Sequence, residues 1–347
     1  MKAPIYLMAL KPFKLNFMIP ENKQTAVMHA LQAAFGVSEF EEIQQLTAGL
    51  SSALIFKIVV MGKPYLLRVI TRTDAMADPT HYYGCMKPAA EAGLAPHIWY
   101  ADTADRISIT DFVDAKPFPI NEAKVLLPDT LKRLHALPRF PARLPYLDFM
   151  DNSIRKFHSS NALPESITGE MFRQYERIKA VYPRNEEDLV SCHNDLKPDN
   201  ILFDGKQAWL VDWEAAFLND RYCDLSVVGN FVITDDNDEM DYLKIYFGKD
   251  ATEYQQARFF LMRQIMHIIY FNFFMSLSSS KNIPIDLNRK KPGFRDFHDR
   301  VWKGEIYLLD PAAQQQYAWV HLEQALQHMQ LKRFEEALRI VSDAHHA

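Results

Sequence analysis

Ser191-Cys192-His193-Asn194-Asp195-Leu196-Lys197-Pro198-Asp199-Asn200-Ile201-Leu202 is the stretch on which the reading of this chain turns, and Ala208-Trp209-Leu210-Val211-Asp212-Trp213-Glu214 follows it. The first piece spells His-x-Asp-x-x-x-x-Asn, and the second is a short apolar strand that runs into an acid. Phosphoryl transfer to a hydroxyl calls for such a pairing. A carboxylate must orient the attacking hydroxyl and take its proton, and oxygen ligands from the same loop and from beyond the next hairpin must hold magnesium against the ATP phosphates. Magnesium is a hard cation that prefers oxygen, so Asn and Asp suit it where Cys or His would not. Asp195 is accordingly the candidate base, and Asn200 and Asp212 are candidate metal ligands.

Upstream, the chain reads as strand, small-residue loop, strand, turn, strand. Residues 43–46 lead into Thr47-Ala48-Gly49-Leu50-Ser51-Ser52; residues 53–60 are β-rich, Met61-Gly62-Lys63-Pro64 turns, and residues 65–70 form another strand. Small residues let backbone N–H groups approach anionic oxygens with no side chain between. Gly49, Ser51 and Ser52 are therefore candidates for a phosphate-cradling loop, although a plain hairpin turn would use the same residues. Residues 98–101 and 106–112 read as two more strands. Helices are expected over residues 21–35, stopped by Gly36, over 121–137, where Pro128 disturbs the spacing, and over 169–182. Residues 138–145 form a proline-rich connector.

At His193-Asn194-Asp195 and Asp212-Trp213-Glu214 the sequence resembles the aminoglycoside phosphotransferase and choline kinase family of small-molecule kinases. Asp-Trp-Glu, where protein kinases have Asp-Phe-Gly, is similar to the choline, ethanolamine and thiamine kinase branch. The resemblance spans roughly residues 43–319 and is most specific over residues 193–225. It implies an α+β, bilobal protein kinase-like fold with a small β-rich N-terminal lobe and a larger, mostly helical C-terminal lobe. On that plan residues 1–20 are a leader, 21–113 a nucleotide-binding lobe, and 114–347 a catalytic and substrate-binding lobe.

The resemblance also implies roles for single residues. Arg68, inside an apolar strand, is either an edge charge turned to water or the cation that meets the nucleotide phosphates, and a guanidinium fork suits the second role. Asp111, Phe112 and Val113 resemble the segment whose backbone meets the adenine ring. Glu214 would assist a metal ion, His193 would pack and hydrogen-bond within the loop, and Asp224 would brace it from behind. Lys197 would neutralise charge on the transferred phosphoryl group, a solvated lysine being the plain alternative. One feature departs from the family. A helix acid should pair with Arg68, yet the region reads His81-Tyr82-Tyr83, with Asp78 and Glu91 the nearest acids. Either the helix is shifted or Arg68 takes another partner.

Composition excludes several classes. The 347 residues carry a net charge of −5 with both signs interspersed, which argues against a nucleic-acid partner. Cys85, Cys192 and Cys223 are odd in number and widely spaced, as expected of a cytoplasmic protein without structural disulfides. Residues 259–277 are apolar but contain Arg263, Gln264, His267 and Asn272, so they read as a buried helix, with no membrane insertion. The expected cofactors are ATP and Mg2+. The expected acceptor is a small-molecule alcohol, choline-like, with aminoglycoside or thiamine and a non-catalytic nucleotide-binding regulator as alternatives. A choline-like cation would need aromatic faces, and residues 222–319 are rich in them, although most fit a core. Residues 235–241 are an acidic run read as a helix start, and residues 312–347 as helical, packing on the larger lobe or forming a homodimer contact.

Overall fold

Phe56, Ile58 and Val60 are all but shut off from solvent while the residues between them are half-exposed, the period-two burial of a strand with one face on a core. A computed structural model describes residues 18–46, 53–74, 77–143, 146–160, 163–280 and 292–345. These fall into two units, one running to Tyr83 with Pro96–Val113 added, the other comprising Gly84–Ala95 and the residues from Asp114 onward.

In the first unit a helix, α1 (Glu21–Phe35), precedes strands β1 (Glu42–Leu46), β2 (Ala53–Val60) and β3 (Lys63–Ile70). Helix α2 (Thr80–Glu91) begins in this unit, and strands β4 (Ile98–Asp102) and β5 (Ile107–Asp111) complete it. The five strands form one antiparallel sheet in the order β1-β2-β3-β5-β4. Leu67 and Val69 of β3 lie opposite Ile109 and Ile107 of β5, and all four are buried with Val27, Ala30 and Leu31 of α1. Val60 pairs with Lys63, so the turn is only Met61-Gly62, both with positive φ, and Pro64 already belongs to the strand. The small-residue loop with Gly49, Ser51 and Ser52 lies outside the described residues.

The second unit is mostly helical. In chain order it contains α3 (Ile120–His135), α4 (Tyr146–Ser160), α5 (Glu165–Val181), β6 (Leu189–Cys192), β7 (Ile201–Phe203), β8 (Ala208–Leu210) and β9 (Phe217–Asp220). Then come α6 (Arg221–Val232), α7 (Asp236–Phe247), α8 (Glu253–Ser280), α9 (Phe294–Trp302), α10 (Pro311–Met329) and α11 (Lys332–His345). β6 pairs with β9 and β7 with β8, both antiparallel. α8 is the central strut, apolar on every side: Phe259, Leu261, Ile265, Ile268, Phe271 and Met275 are buried. Its buried arginines are paired, Arg258 with Asp188 and Asp220 at 2.8 and 2.6 Å, and Arg263 with Asn230 at 3.0 Å. Among the described residues no helix is long and apolar enough to cross a membrane. Asp235 caps α7 by accepting from the Asp238 N–H at 2.9 Å, so the acidic run does open a helix. The C-terminal segment is two helices rather than one, broken at Gln330-Leu331.

Candidate active site

β6 delivers the chain to His193, where the regular pairing with β9 ends. Two side chains then hold a loop that makes no strand of its own. Asp224, near the start of α6 and fully buried, accepts from the N–H of His193 at 2.8 Å through Oδ2 and from the N–H of Asn194 at 2.7 Å through Oδ1. His135, at the end of α3, lies 3.2 Å from the same Oδ2. Burial by itself would raise the Asp224 carboxyl. The hydrogen bond and charge of His135, together with His193, outweigh it and hold the group below its ordinary value.

Asn194 is the second clamp. It sits in the left-handed region, φ 63°, which Asn tolerates better than most residues. Its amide donates to the carbonyls of Ala215 and Phe217 at 3.1 and 3.3 Å and accepts from Asn219 at 2.7 Å. His193 is buried, its Nε2 2.9 Å from the Val211 carbonyl and its ring 4.8 Å from that of Trp213. The packing role expected of His193 and the bracing role expected of Asp224 are therefore compatible with every contact these residues make.

Clamped at both ends, the loop presents Asp195 half-buried. Oδ2 of Asp195 accepts from Lys197 Nζ at 2.6 Å and from Asn200 Nδ2 at 2.9 Å, and Asn200 Nδ2 also donates to the Asp195 carbonyl at 2.7 Å. Both side-chain bonds fall on one oxygen of Asp195, Oδ2. The same bonds fix Asn200 with its nitrogen facing Asp195. Val211 N–H donates to the Asn200 carbonyl at 3.0 Å, which sets the residue before Asp212 beside Asn200. Asp212 adopts a positive φ of 67° as it leaves the β8 side of the hairpin. Such a backbone costs about 1–2 kcal/mol in a non-glycine residue and is found where function requires it. Trp213 is buried, whereas Glu214 is exposed. The donors of Asn200, Asp212 and Glu214 are all oxygens, a set that fits Mg2+.

His135, Cys192 and Asp224 offer ligand atoms within 4.8 Å of one another. They do not read as a metal centre, because both Asp224 oxygens already accept backbone N–H groups and burial pushes the Cys192 thiol well up. All three cysteines are free and buried.

In the first unit, Arg68 is buried in β3, and its guanidinium lies over the ring of Tyr82 in α2, 4.6 Å from the centroid. Asp111 ends β5; its N–H donates to the His97 carbonyl at 2.9 Å and its carboxylate accepts from Trp99 at 2.7 Å. Lys57 sits over the Phe112 ring at 4.5 Å.

An antiparallel five-stranded sheet followed by a larger helical portion, with His-x-Asp-x-x-x-x-Asn on a braced loop, defines a kinase-like phosphotransferase fold. A model of the phosphotransferase enzyme family matches residues 42–260, and the chain belongs to that family. The protein LicA of Haemophilus influenzae is 29% identical over 184 residues, covering 49% of this chain and 66% of LicA, so the chain spans less than two thirds of that relative. A choline/ethanolamine kinase family protein from Mesorhizobium loti superposes with TM-score 0.66 at 19% identity, over 92% of this chain and 99% of that one. A spectinomycin phosphotransferase in complex with ADP and spectinomycin superposes with TM-score 0.52 at 13% identity, over 86% of this chain and 98% of the other.

Proposed function

We propose that the protein is an ATP- and Mg2+-dependent kinase that transfers the γ-phosphate to the hydroxyl of a small amino alcohol of the choline type, in the cytoplasm. The observation that carries the reading is the Asp195 carboxylate, bonded through Oδ2 to Lys197 and Asn200, on a loop clamped by Asp224 and Asn194. Asp195 orients the acceptor hydroxyl and takes its proton as the bond to phosphorus forms. Lys197 stands 2.6 Å from that carboxylate, where its charge also serves the phosphoryl group in flight. Asn200, Asp212 and Glu214 would hold Mg2+, which supplies charge neutralisation on the phosphates. In the first unit Arg68 would contact nucleotide phosphate, and Phe112 and Val113 the adenine.

Aromatic faces support an ammonium-bearing acceptor. Tyr270 and Tyr317 are candidate rings; burial raises both phenols, and the charge of Asp195 adds in the same direction. Tyr270 stacks on His321 at 4.9 Å, and rings of this kind attract a quaternary ammonium. The test is ADP release from Mg-ATP across choline, ethanolamine, thiamine, homoserine and aminoglycosides, with Asp195→Asn as control. One amino alcohol stimulating turnover, lost in the control, is the expected result. Stimulation by an aminoglycoside alone would replace the acceptor class, and flat turnover with intact nucleotide binding would favour a non-catalytic regulator.

A further inference from the structure

The brace behind the Asp195 loop does not end at His135. Nδ1 of His135 lies 2.7 Å from the hydroxyl oxygen of Tyr246, in the last turn of α7. The two rings meet at 5.5 Å and 73°, and both side chains are buried. Phe247 meets Tyr246 edge-on at 4.9 Å. The other nitrogen of His135, Nε2, is 3.2 Å from Asp224 Oδ2, the oxygen that accepts the His193 N–H at 2.8 Å.

What each group can donate or accept fixes the hydrogens along this chain. Asp224, held below its ordinary value, is a carboxylate and only accepts, so its bond to His135 requires a hydrogen on Nε2. A neutral imidazole with hydrogen on Nε2 has a bare Nδ1, which only accepts. Burial pushes the Tyr246 phenol up, so it keeps its O–H, the donor that a bare Nδ1 needs. Cys192 Sγ also lies 3.8 Å from Nε2, but its thiol has the Asn219 and Asp220 carbonyls at 3.5 and 3.6 Å as acceptors. The donors run one way, from Tyr246 to His135 and from His135 to Asp224.

We propose that Tyr246 is a positioning residue for phosphoryl transfer: its hydroxyl holds His135 in the neutral tautomer with hydrogen on Nε2, and so keeps Asp224 seated under the Asp195 loop. The positioning role rests on Asp195 being the base. In the opposite tautomer the Nε2 lone pair faces Oδ2 across 3.2 Å, two acceptors with no hydrogen between them. A buried carboxylate that loses a donor in this way shifts, and its bonds to the N–H groups of His193 and Asn194 shift with it. Asp195 is the next residue, and a small misplacement of a reacting group lowers the rate while the binding groups stay where they are.

The experiment joins a spectrum to kinetics on the full chain. Two-bond 1H–15N correlation on 15N-histidine-labelled protein reports which ring nitrogen carries hydrogen. The signal missing from His135→Gln assigns His135 among the 12 histidines. The unmodified chain should show His135 neutral, with hydrogen on Nε2 alone. Tyr246→Phe, which removes only the hydroxyl, should add the Nδ1–H or imidazolium form. With Mg-ATP and the acceptor selected by the panel above, Tyr246→Phe should lower kcat about tenfold, as for one hydrogen bond in a charged network, with the KM for ATP within about twofold. His135→Gln offers Asp224 an amide N–H that has no tautomer to fix, so adding Tyr246→Phe to it should lower kcat no further. A merely structural Tyr246 would lower the melting temperature, leave the His135 spectrum unchanged and add its loss to that of His135→Gln. An imidazolium or Nδ1–H form of His135 in the unmodified chain would overturn the proposal without any variant. So would an unchanged spectrum or unchanged kcat in Tyr246→Phe, and none of these results touches the reading of Asp195. Flat turnover of the unmodified chain across the panel would overturn that reading and the positioning role with it, whatever the spectrum shows.

Discussion

Lowering the pH from 7.5 to 5.5 should strip the second unit of several kcal/mol of stability before any carboxylate titrates. His298 of α9 is buried and His328 of α10 is mostly so, and desolvation pushes both imidazoles from the ordinary 6.5 down to about 3. His298 faces the Phe294 carbonyl at 2.9 Å, Tyr317 at 3.5 Å and the His321 ring at 5.3 Å. His328 faces Gln264 at 3.2 Å, with the positive charges of Arg263 and Arg333 holding it down further. No carboxylate is among the groups that shift either one. The sign follows: the folded-state pKa is depressed, so below pH 6.5 the unfolded chain takes up protons that the folded chain refuses. The stability is intact above pH 6.5 and is lost progressively toward pH 3. One such histidine loses RT ln(1 + 10^(pKa − pH)), which is about 1.4 kcal/mol at pH 5.5 and about 2.7 kcal/mol at pH 4.5. The two together cost about 3 and about 5 kcal/mol, a large share of an ordinary 5–15 kcal/mol total. His267 and His321, which face each other at 2.9 Å and are also pushed well down by burial, add in the same direction. Urea unfolding followed by tryptophan fluorescence at pH 7.5, 6.5 and 5.5 measures the slope. Replacing both residues (His298→Phe with His328→Phe) should flatten it by about 3 kcal/mol at pH 5.5. Equal stability of the unmodified chain at pH 7.5 and 5.5, or an unchanged slope in the double variant, would refute the reasoning.

Other perturbations have sharp readouts. Asp224→Asn removes the charge that anchors His193 and Asn194 while leaving a buried His135, and should cost about 3–5 kcal/mol in urea unfolding; a loss under about 1 kcal/mol, the worth of one ordinary hydrogen bond, would show that the brace is not charge-based. Lys197→Met should lower turnover by about a hundredfold with little change in the acceptor KM, as expected of a group that acts on developing charge; a change confined to KM would make Lys197 a ground-state contact instead. Asp212→Asn should raise the Mg2+ concentration for half-maximal turnover at least about tenfold; an unchanged magnesium dependence would remove Asp212 from the ligand set.

The catalytic loop was legible because its geometry is local. Asp195, Lys197 and Asn200 lie within one short stretch, so the residues that bond one another are also neighbours in sequence. The strands were legible for a similar reason, since Phe56, Ile58 and Val60 alternate as a half-buried strand must. α4 went unread although its signal was present: Leu147, Met150, Ile154 and Phe157 recur at helical spacing and are all buried. Pro128 was expected to disturb α3, yet the helix runs through it with Leu127, Leu131 and Leu134 buried around it. Burial of that apolar face offsets the missing hydrogen bond. The Tyr82 contact could not be read at all. A cation over a ring has no spacing rule, and Tyr82 comes from α2 rather than from the sheet that carries Arg68.

The acceptor side resists reading for a deeper reason. Tyr270 of α8 meets Tyr317 and His321 of α10, and His298 of α9 lies against Tyr317; on the function proposed above these rings are candidates for the acceptor side. Each of these residues also fits the apolar periodicity of its own helix, so no pattern in one segment separates a pocket residue from a core residue. The Asp195 loop, by contrast, is held through backbone groups: Asp224 accepts from two N–H groups and Asn194 donates to two carbonyls. A loop fixed by backbone contacts can stay in place while the side chains of the helices around it change. On the function proposed above, substitutions in α8 and α10 should therefore change the acceptor used and leave the Asp195 loop undisturbed.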